Sequence, residues 1–390
     1  MSKLTICGGG NAAHVLIALA GHIGWDVDVF APLADEAERL QAGVSVRGGI
    51  LANYGHKTVM GRPRRISATP AEVIPGSELI LLALPAFAHG STLQSIADHL
   101  DREVAIGALP ARGGFDYQAF SILPNKGVRI FGLQTLPWAC RISTYGQEAE
   151  ILGTKAEVDL AAAPAAELSR ITQQLEPLFS SKLSPHSSFL SLTLANTGQL
   201  IHPGIMYGLG RGKEGDRFAQ DDIPLFYQGV DDPTAHVLQS LSDEVQAIAG
   251  AVAAVLPDFN PREVATLHEW ILRAYPADIA DGSSLRRAFN TNRAYVGLKL
   301  PSRPVGPNSF AIDYKARYLA EDVPFGLVVL RGIAALVGVR TPTIDEVIIW
   351  AQEHLDKQYL VNGELSGPNL VETRAPQIYG IQTLAQLAKA

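Results

Sequence analysis

Cysteine is scarce in this chain: Cys7 and Cys140 are the only two in 390 residues. Two such residues give no disulfide framework, and a reducing cytoplasm is the expected setting. An excess of positive charge is also missing. Lys and Arg number 32 against 39 Asp and Glu, a net charge of −7. The densest basic patch, Lys57, Arg62, Arg64 and Arg65, reads as a solvated loop, so nucleic acid is not an expected partner. No segment approaches the roughly 20 apolar residues of a membrane span. Met1-Ser2-Lys3 leads into a strand without the architecture of a signal peptide. The histidines are scattered, so no metal site is expected, and there is no internal repeat or low-complexity tract.

What the chain does have is apolar substance. Hydrophobic residues make up 47% and charged ones 18%, which suits a globular protein with sizeable cores. At this length one core seldom suffices, so two domains are expected.

The most informative stretch is Leu4 to His14. A short apolar run, Leu4-Thr5-Ile6-Cys7, breaks into Gly8-Gly9-Gly10, and the helix-like Val15–Ala20 follows. Gly8, Gly10 and Ala13 fit G-x-G-x-x-A. In a strand–turn–helix the first glycine makes the tight turn, the second admits a pyrophosphate, and the small third residue packs helix on strand. The competing reading is a plain structural turn.

Apolar strands then alternate with helix-period segments: Trp25–Phe30, Glu78–Pro85, Val104–Leu109 and Gly127–Leu133. This is the pattern of βαβ units and a parallel sheet. Residues 43–70 suggest an antiparallel excursion, 149–158 a late strand or hairpin, and Pro164–Leu178 a helix. The second strand ends in Phe30-Ala31-Pro32, without the ribose-binding acid usual there. Asp35 is the candidate substitute, with a helix-start charge as the alternative. No arginine follows that strand to hold a 2′-phosphate, which favours NAD over NADP. Pro85 and Phe87 end the Glu78–Pro85 strand at the sheet edge that binds ligands in doubly wound folds, and Phe87 is placed to cover part of a cofactor. His89 reads as structural or solvent-facing. Strand ends also set Arg112, Gln134 and Cys140 along one rim. Arg112 suits a carboxylate through its planar fork, or a surface ion pair.

The polar stretch Ser184–Ser188 marks the boundary, giving domains 1–187 and 188–390. Beyond it Val237–Val255, Val264–Ala274 and Val328–Val337 have helical periodicity, so the second domain is expected to be all-α. Two segments there carry chemistry. His202 precedes Pro203, which disfavours continued helix and puts the imidazole at a break; it is a general acid/base candidate or a capping histidine. Arg317 and Glu321 form an i, i+4 pair, usually a matter of surface stability. Asp322 lies near a helix end, where a protonatable histidine is a natural partner.

The residues Cys7-Gly8-Gly9-Gly10-Asn11, Leu84–His89, Thr135–Ile142, Leu225–Gly229, Arg317–Asp322, Ile349–Gln352 and Tyr359–Val361 occur in one order over nearly the whole chain. On them the chain resembles the opine dehydrogenases of the octopine dehydrogenase type. The resemblance implies an N-terminal Rossmann domain, a helical C-terminal domain, and a substrate cleft between them. It implies joining of an amino acid to an α-keto acid, usually pyruvate, with NAD(P)H reducing the imine. It places the catalytic histidine on His202, its dyad aspartate on Asp322, the substrate arginine on Arg317, and the tryptophan of the amino-acid pocket on Trp270. Gly8, Gly9, Gly10, Asn11 and Ala12 fall in the cofactor turn. The octopine enzymes have a glutamate before Thr-Leu-Pro-Trp to grip a guanidinium. Here Gln134 is neutral, so arginine is not the expected substrate. Arg112 replaces a glutamine at the keto-acid end, and Asn196 and Gly198 replace bulkier residues before the histidine. A monomer or homodimer is expected. Two rivals remain at this stage: a ketopantoate-reductase-like enzyme that needs no amine, which Asn196 would suit, and a nucleotide-sensing regulator that turns nothing over.

Overall fold

The computed structural model describes residues 3–123 and 127–387. The chain divides into two compact units. One comprises Met1–Ala111 and Phe115–Leu192, the other Arg112–Gly114 and Thr193–Ala390.

The first unit opens with β1 (Lys3–Cys7), α1 (Asn11–His22), β2 (Asp26–Phe30) and α2 (Glu36–Arg47). A hairpin follows, β3 (Ile50–Tyr54) and β4 (Lys57–Gly61), so the antiparallel excursion is present, although residues 43–47 belong to the helix before it. Next come β5 (Arg65–Ser67), α3 (Pro70–Val73), β6 (Leu79–Leu82), α4 (Ala86–Ile96), β7 (Ala105–Ala108), α5 (Phe115–Ile122) and β8 (Arg129–Leu133). Then follow β9 (Trp138–Thr144), β10 (Glu148–Thr154), β11 (Glu157–Ala163), α6 (Leu168–Leu175) and β12 (Lys182–Pro185).

The main sheet runs β12-β11-β8-β7-β6-β1-β2-β5. Its pairings are parallel except that of β11 with β8. The stretch 149–158 therefore holds parts of two strands in two sheets. β10 joins the smaller sheet β4-β3-β10-β9, whereas β11 joins the main one.

The near-continuous apolar strands are explained by burial on both faces. Leu4, Ile6, Val27, Val29, Leu79 and Leu81 pack into one core with α1. Cys7, Phe30, Ile80, Leu82 and Ile106 pack into another with α4 and α5. The helix expected over Pro164–Leu178 is regular only at α6, with short 3₁₀ turns at either side.

The boundary lies after Leu192 rather than at 187. Phe189 and Leu192, on α7 (Phe189–Ala195), belong to the apolar core of the first unit and hold that turn there. The second unit continues with α8 (Gly198–Gly210), α9 (Asp232–Val255), α10 (Leu267–Ala274) and α11 (Leu285–Thr291). It is not purely helical. Ser302–Gly306 (β13) and Ser309–Ile312 (β14) form a two-stranded hairpin. α12 (Arg317–Ala320), a single π-type turn over Val323–Leu327, α13 (Val328–Val337), α14 (Pro342–His354) and α15 (Leu384–Leu387) complete it. A capping box between Thr266 and Glu269 starts α10, three residues later than the apolar period alone suggests. No helix among the described residues is long and apolar enough to cross a membrane.

Candidate active site

In the first unit the glycine turn joins β1 to α1. Gly8 has φ +115°, and a Cβ there would lie 2.9 Å from the Ala83 carbonyl oxygen, so only glycine fits. Gly10 is the N-cap of α1, and a Cβ on it would meet nothing within 4 Å. No side chain caps the helix. Its first amides and the open space at Gly10 are thus suited to a diphosphate. Ala12 and Ala13 are buried behind them.

Two side chains at this turn tie it to the β9–β10 hairpin. Asn11 Oδ1 accepts from the Ile142 N–H at 2.9 Å. His14 Nδ1 lies 3.0 Å from the Gly10 carbonyl, and its Nε2 accepts from the Gly146 N–H at 2.8 Å. Burial holds the His14 ring below the usual imidazole range.

Asp35 does not reach the turn. It is exposed and paired with Arg39 at 2.9 Å. The neighbouring Glu36 takes the position instead. Its carboxylate accepts from the Gly9 N–H, and burial raises it above the usual carboxylate range. Its Oε2 is buried without a hydrogen-bond partner among the described residues. An orphaned acceptor at the glycine turn fits a ribose hydroxyl, so the residues present fit a dinucleotide. The chain takes five residues after Phe30 before returning, which is why an acid sought at the strand end is missed.

Pro85 is the N-cap of α4, and Phe87 on its first turn is 61% exposed. His89 is fully buried, with Nε2 3.0 Å from the Leu84 carbonyl, and is structural. Gln134 is buried just after β8, and its N–H donates to the Asp159 carbonyl at 2.9 Å. Cys140 is not at the rim of the main sheet. It sits within β9, opposite Ile151, and burial pushes its thiol up to about 11.

The second unit gathers the charged residues. His202 does not stand at a helix break, because α8 runs through Pro203. His202 Nδ1 lies 2.7 Å from Asp322 Oδ2 and its Nε2 3.0 Å from the Tyr227 hydroxyl. The Tyr318 ring stacks on the imidazole at 4.2 Å and 12°. A carboxylate only accepts, so Nδ1 carries the proton and Nε2 of the neutral ring accepts from Tyr227. Burial lifts the Tyr227 phenol well above its usual range, which keeps it a donor.

Asp322 follows α12 and opens the π-type turn, where Leu327 N–H donates to its carbonyl at 3.0 Å. Its side chain is 1% exposed. Arg112 leaves its own strand region to join this unit, with φ +62° and Nη1 2.8 Å from Asp322 Oδ1. Its Nε is 3.5 Å from Glu321 Oε1. Burial opposes its charge, but Asp322 and Glu321 outweigh that and bind its proton more tightly than usual. The Arg317–Glu321 pair exists, with Nε and Nη2 at 2.8 and 2.6 Å from Glu321 Oε2. It is not an ordinary surface pair, since Glu321 is buried and shared with Arg112.

Asn196 is buried just before α8 with Oδ1 unpartnered among the described residues. Trp270 is buried on α10, edge-on to Tyr275 at 6.2 Å. Tyr227, Tyr318, Glu321 and Glu36 were not singled out from sequence as site residues. For Tyr318 and Glu321 a signal existed, since they flank Asp322 within the run Arg317–Asp322.

Residues 185–355 match the NAD/NADP octopine/nopaline dehydrogenase alpha-helical domain family. Octopine dehydrogenase of Mizuhopecten yessoensis is 37% identical over 98% of this chain and 97% of its own length. Tauropine dehydrogenase of Arabella iricolor is 35% identical over 98% and 99%. The structure of octopine dehydrogenase with NADH and L-arginine matches 99% of this chain and 98% of that one, with 34% identity and TM-score 0.88. Its complex with NADH and pyruvate matches with TM-score 0.86 at 33% identity, over 100% and 98%. With a Rossmann glycine turn in one unit and a histidine–aspartate pair in the other, the chain belongs to the opine dehydrogenases, NAD(P)-dependent oxidoreductases that reductively condense an amino acid with an α-keto acid.

Proposed function

We propose that His202 is the general acid/base of this condensation, that Asp322 orients it, and that the amino acid is one without a guanidinium. The observation that carries the first part is the 2.7 Å contact of His202 Nδ1 with buried Asp322, which leaves Nε2 as the working nitrogen.

The chemistry asks for one proton at one place. An amine adding to a keto carbon gives a carbinolamine, which must lose hydroxide to become an iminium. Nε2 of an imidazolium supplies the proton that lets this oxygen leave as water. In the free protein Tyr227 holds Nε2, and the departing hydroxyl takes its place. Asp322 keeps the ring in one tautomer and stabilises the imidazolium, as in other histidine–aspartate pairs. When bound, NAD(P)H supplies the hydride that reduces the iminium carbon. Gly8, Gly9, Gly10, Ala12, Glu36, Pro85 and Phe87 are the residues that hold it. Asn11 acts there by fixing the turn to Ile142. The Glu36 carboxylate favours a ribose hydroxyl and repels a 2′-phosphate, which supports NADH over NADPH.

Arg317 is 61% exposed and spends Nε and Nη2 on Glu321, so Nη1 is left for a substrate carboxylate. Gln134 brings no charge, and a buried guanidinium without an anion is costly. Asn196 and Trp270 are the further amino-acid contacts, both buried and neither charged. Small neutral amino acids and taurine fit this reading, with pyruvate as keto acid.

The test is a screen of amino acids with pyruvate, following NADH and NADPH in parallel, on the wild type and Gln134→Glu. Neutral amines with NADH should lead for the wild type, and Gln134→Glu should raise kcat/KM for arginine at least about tenfold relative to alanine. Arginine leading for the wild type would refute the substrate assignment. Turnover with pyruvate alone would refute the need for an amine.

A further inference from the structure

Arg112 carries a fork suited to a substrate carboxylate, yet two of its three nitrogens, Nη1 and Nε, already face acids of the protein. Nη1 is 2.8 Å from Asp322 Oδ1 and Nε 3.5 Å from Glu321 Oε1. The side chain is 10% exposed. Two features show that the position is built. Arg112 adopts φ +62°, a left-handed conformation that costs a non-glycine residue energy and persists where surroundings impose it. Gly198, the first residue of α8, gives it room: a Cβ there would lie 2.6 Å from Arg112 Nη1. The helix that carries His202 thus begins with a residue whose missing side chain admits this guanidinium.

The four charged groups form a chain, Arg317–Glu321–Arg112–Asp322, with His202 at its end. Two cations balance two anions while the imidazole is neutral. Among the described residues, His202 otherwise faces the hydroxyl and ring of Tyr227 and the rings of Tyr318 and Phe226. From α9 the helix receives Leu238 and Leu241, at Gly204, and from α14 Glu346, which reaches Tyr207 and not His202. Arg112 is therefore the charge nearest the dyad that is neither member of it.

We propose that Arg112 is a positioning residue of the His202–Asp322 pair and not a substrate ligand. Its ion pair on the Oδ1 side leaves Oδ2 to Nδ1, and by sharing the carboxylate it weakens the hold of Asp322 on an imidazolium. A like charge close to a titrating cation disfavours its charged form. This rests on the reading of His202 as the proton-transfer group.

The test compares Arg112→Gln with wild type. Glutamine removes the charge and keeps a polar side chain. The kcat/KM limb assigned to the imidazole should move up by about one pH unit. Reduction would then persist to higher pH, and oxidation of the opine would slow at neutral pH. KM for the keto acid should stay within about threefold. Gly198→Ala, which pushes the guanidinium aside without altering its charge, should shift the limb in the same direction by less. Titration of the His202 Cε1–H by NMR in the absence of substrates should show the same displacement, so a failure of the enzymatic reading would not be mistaken for a failure of this one. An unmoved imidazole titration in Arg112→Gln would overturn the proposal. So would a tenfold or greater rise in keto-acid KM with the limb in place, which is the signature of a substrate ligand.

Discussion

His202 and Asp322 stand 120 residues apart in sequence and 2.7 Å apart in the fold. The contact is made by a buried carboxylate that also carries Arg112 on its other oxygen. Removing the charge from Asp322 therefore disturbs both the imidazole and the guanidinium of Arg112. Asp322→Asn should lower kcat by about 10²–10⁴-fold, the usual worth of a positioned acid/base. It should also cost roughly 3–5 kcal/mol of stability, because a buried guanidinium loses one of its two anions. Steady-state kinetics read the first effect and chemical denaturation the second.

Glu36 gives a prediction on cofactor choice. Its raised carboxyl means that the folded, ligand-free protein binds this proton more tightly than the unfolded chain does. The group then favours folding at acidic pH, and that contribution is lost as pH rises through its folded-state value. Glu36→Gln should raise the Tm of the ligand-free protein at about pH 7.5 and leave it little changed at about pH 4, where wild-type Glu36 is also neutral. The same variant should lose affinity for NADH and narrow the preference over NADPH, read by titration of nucleotide fluorescence.

His14 predicts an acid sensitivity of the opposite origin. Its Nε2 must be unprotonated to accept from Gly146, and burial lowers its pKa. A depressed value means the contribution is present above the unfolded-state value and is lost as pH falls through the folded-state one. Stability should fall as pH drops below about 6.5, and NADH affinity should fall at lower pH, as the folded-state ring itself takes up its proton. His14→Phe should cost about 1–3 kcal/mol at neutral pH by stranding the Gly146 N–H, and its stability should no longer fall in that acid window.

Much of this was legible in the chain because the signals are local. β1, the glycine turn and α1 are contiguous, and α13 spans the same residues its apolar period marks out. The charged site was legible only through family resemblance, since nothing in the spacing of His202 and Asp322 shows that they touch. Three features escaped for identifiable reasons. Pro203 forbids one helical hydrogen bond, but the packing of Gly204 against Leu238 and Leu241 keeps α8 continuous. Asp35 is the first acid after Pro32, but Glu36, one residue on, turns its carboxylate to Gly9. Arg112 follows a strand of the first unit, but its ion pairs and the Gly113 N–H to the Phe325 carbonyl, 2.9 Å, enlist three residues into the second.

The most direct measurement is the pH dependence of turnover in His202→Gln, with NADH binding followed separately. The variant should bind NADH within about threefold of wild type, lose about 10²-fold or more in kcat, and lack the imidazole limb of the profile. Near-normal turnover with that limb intact would contradict the assignment of proton transfer to His202.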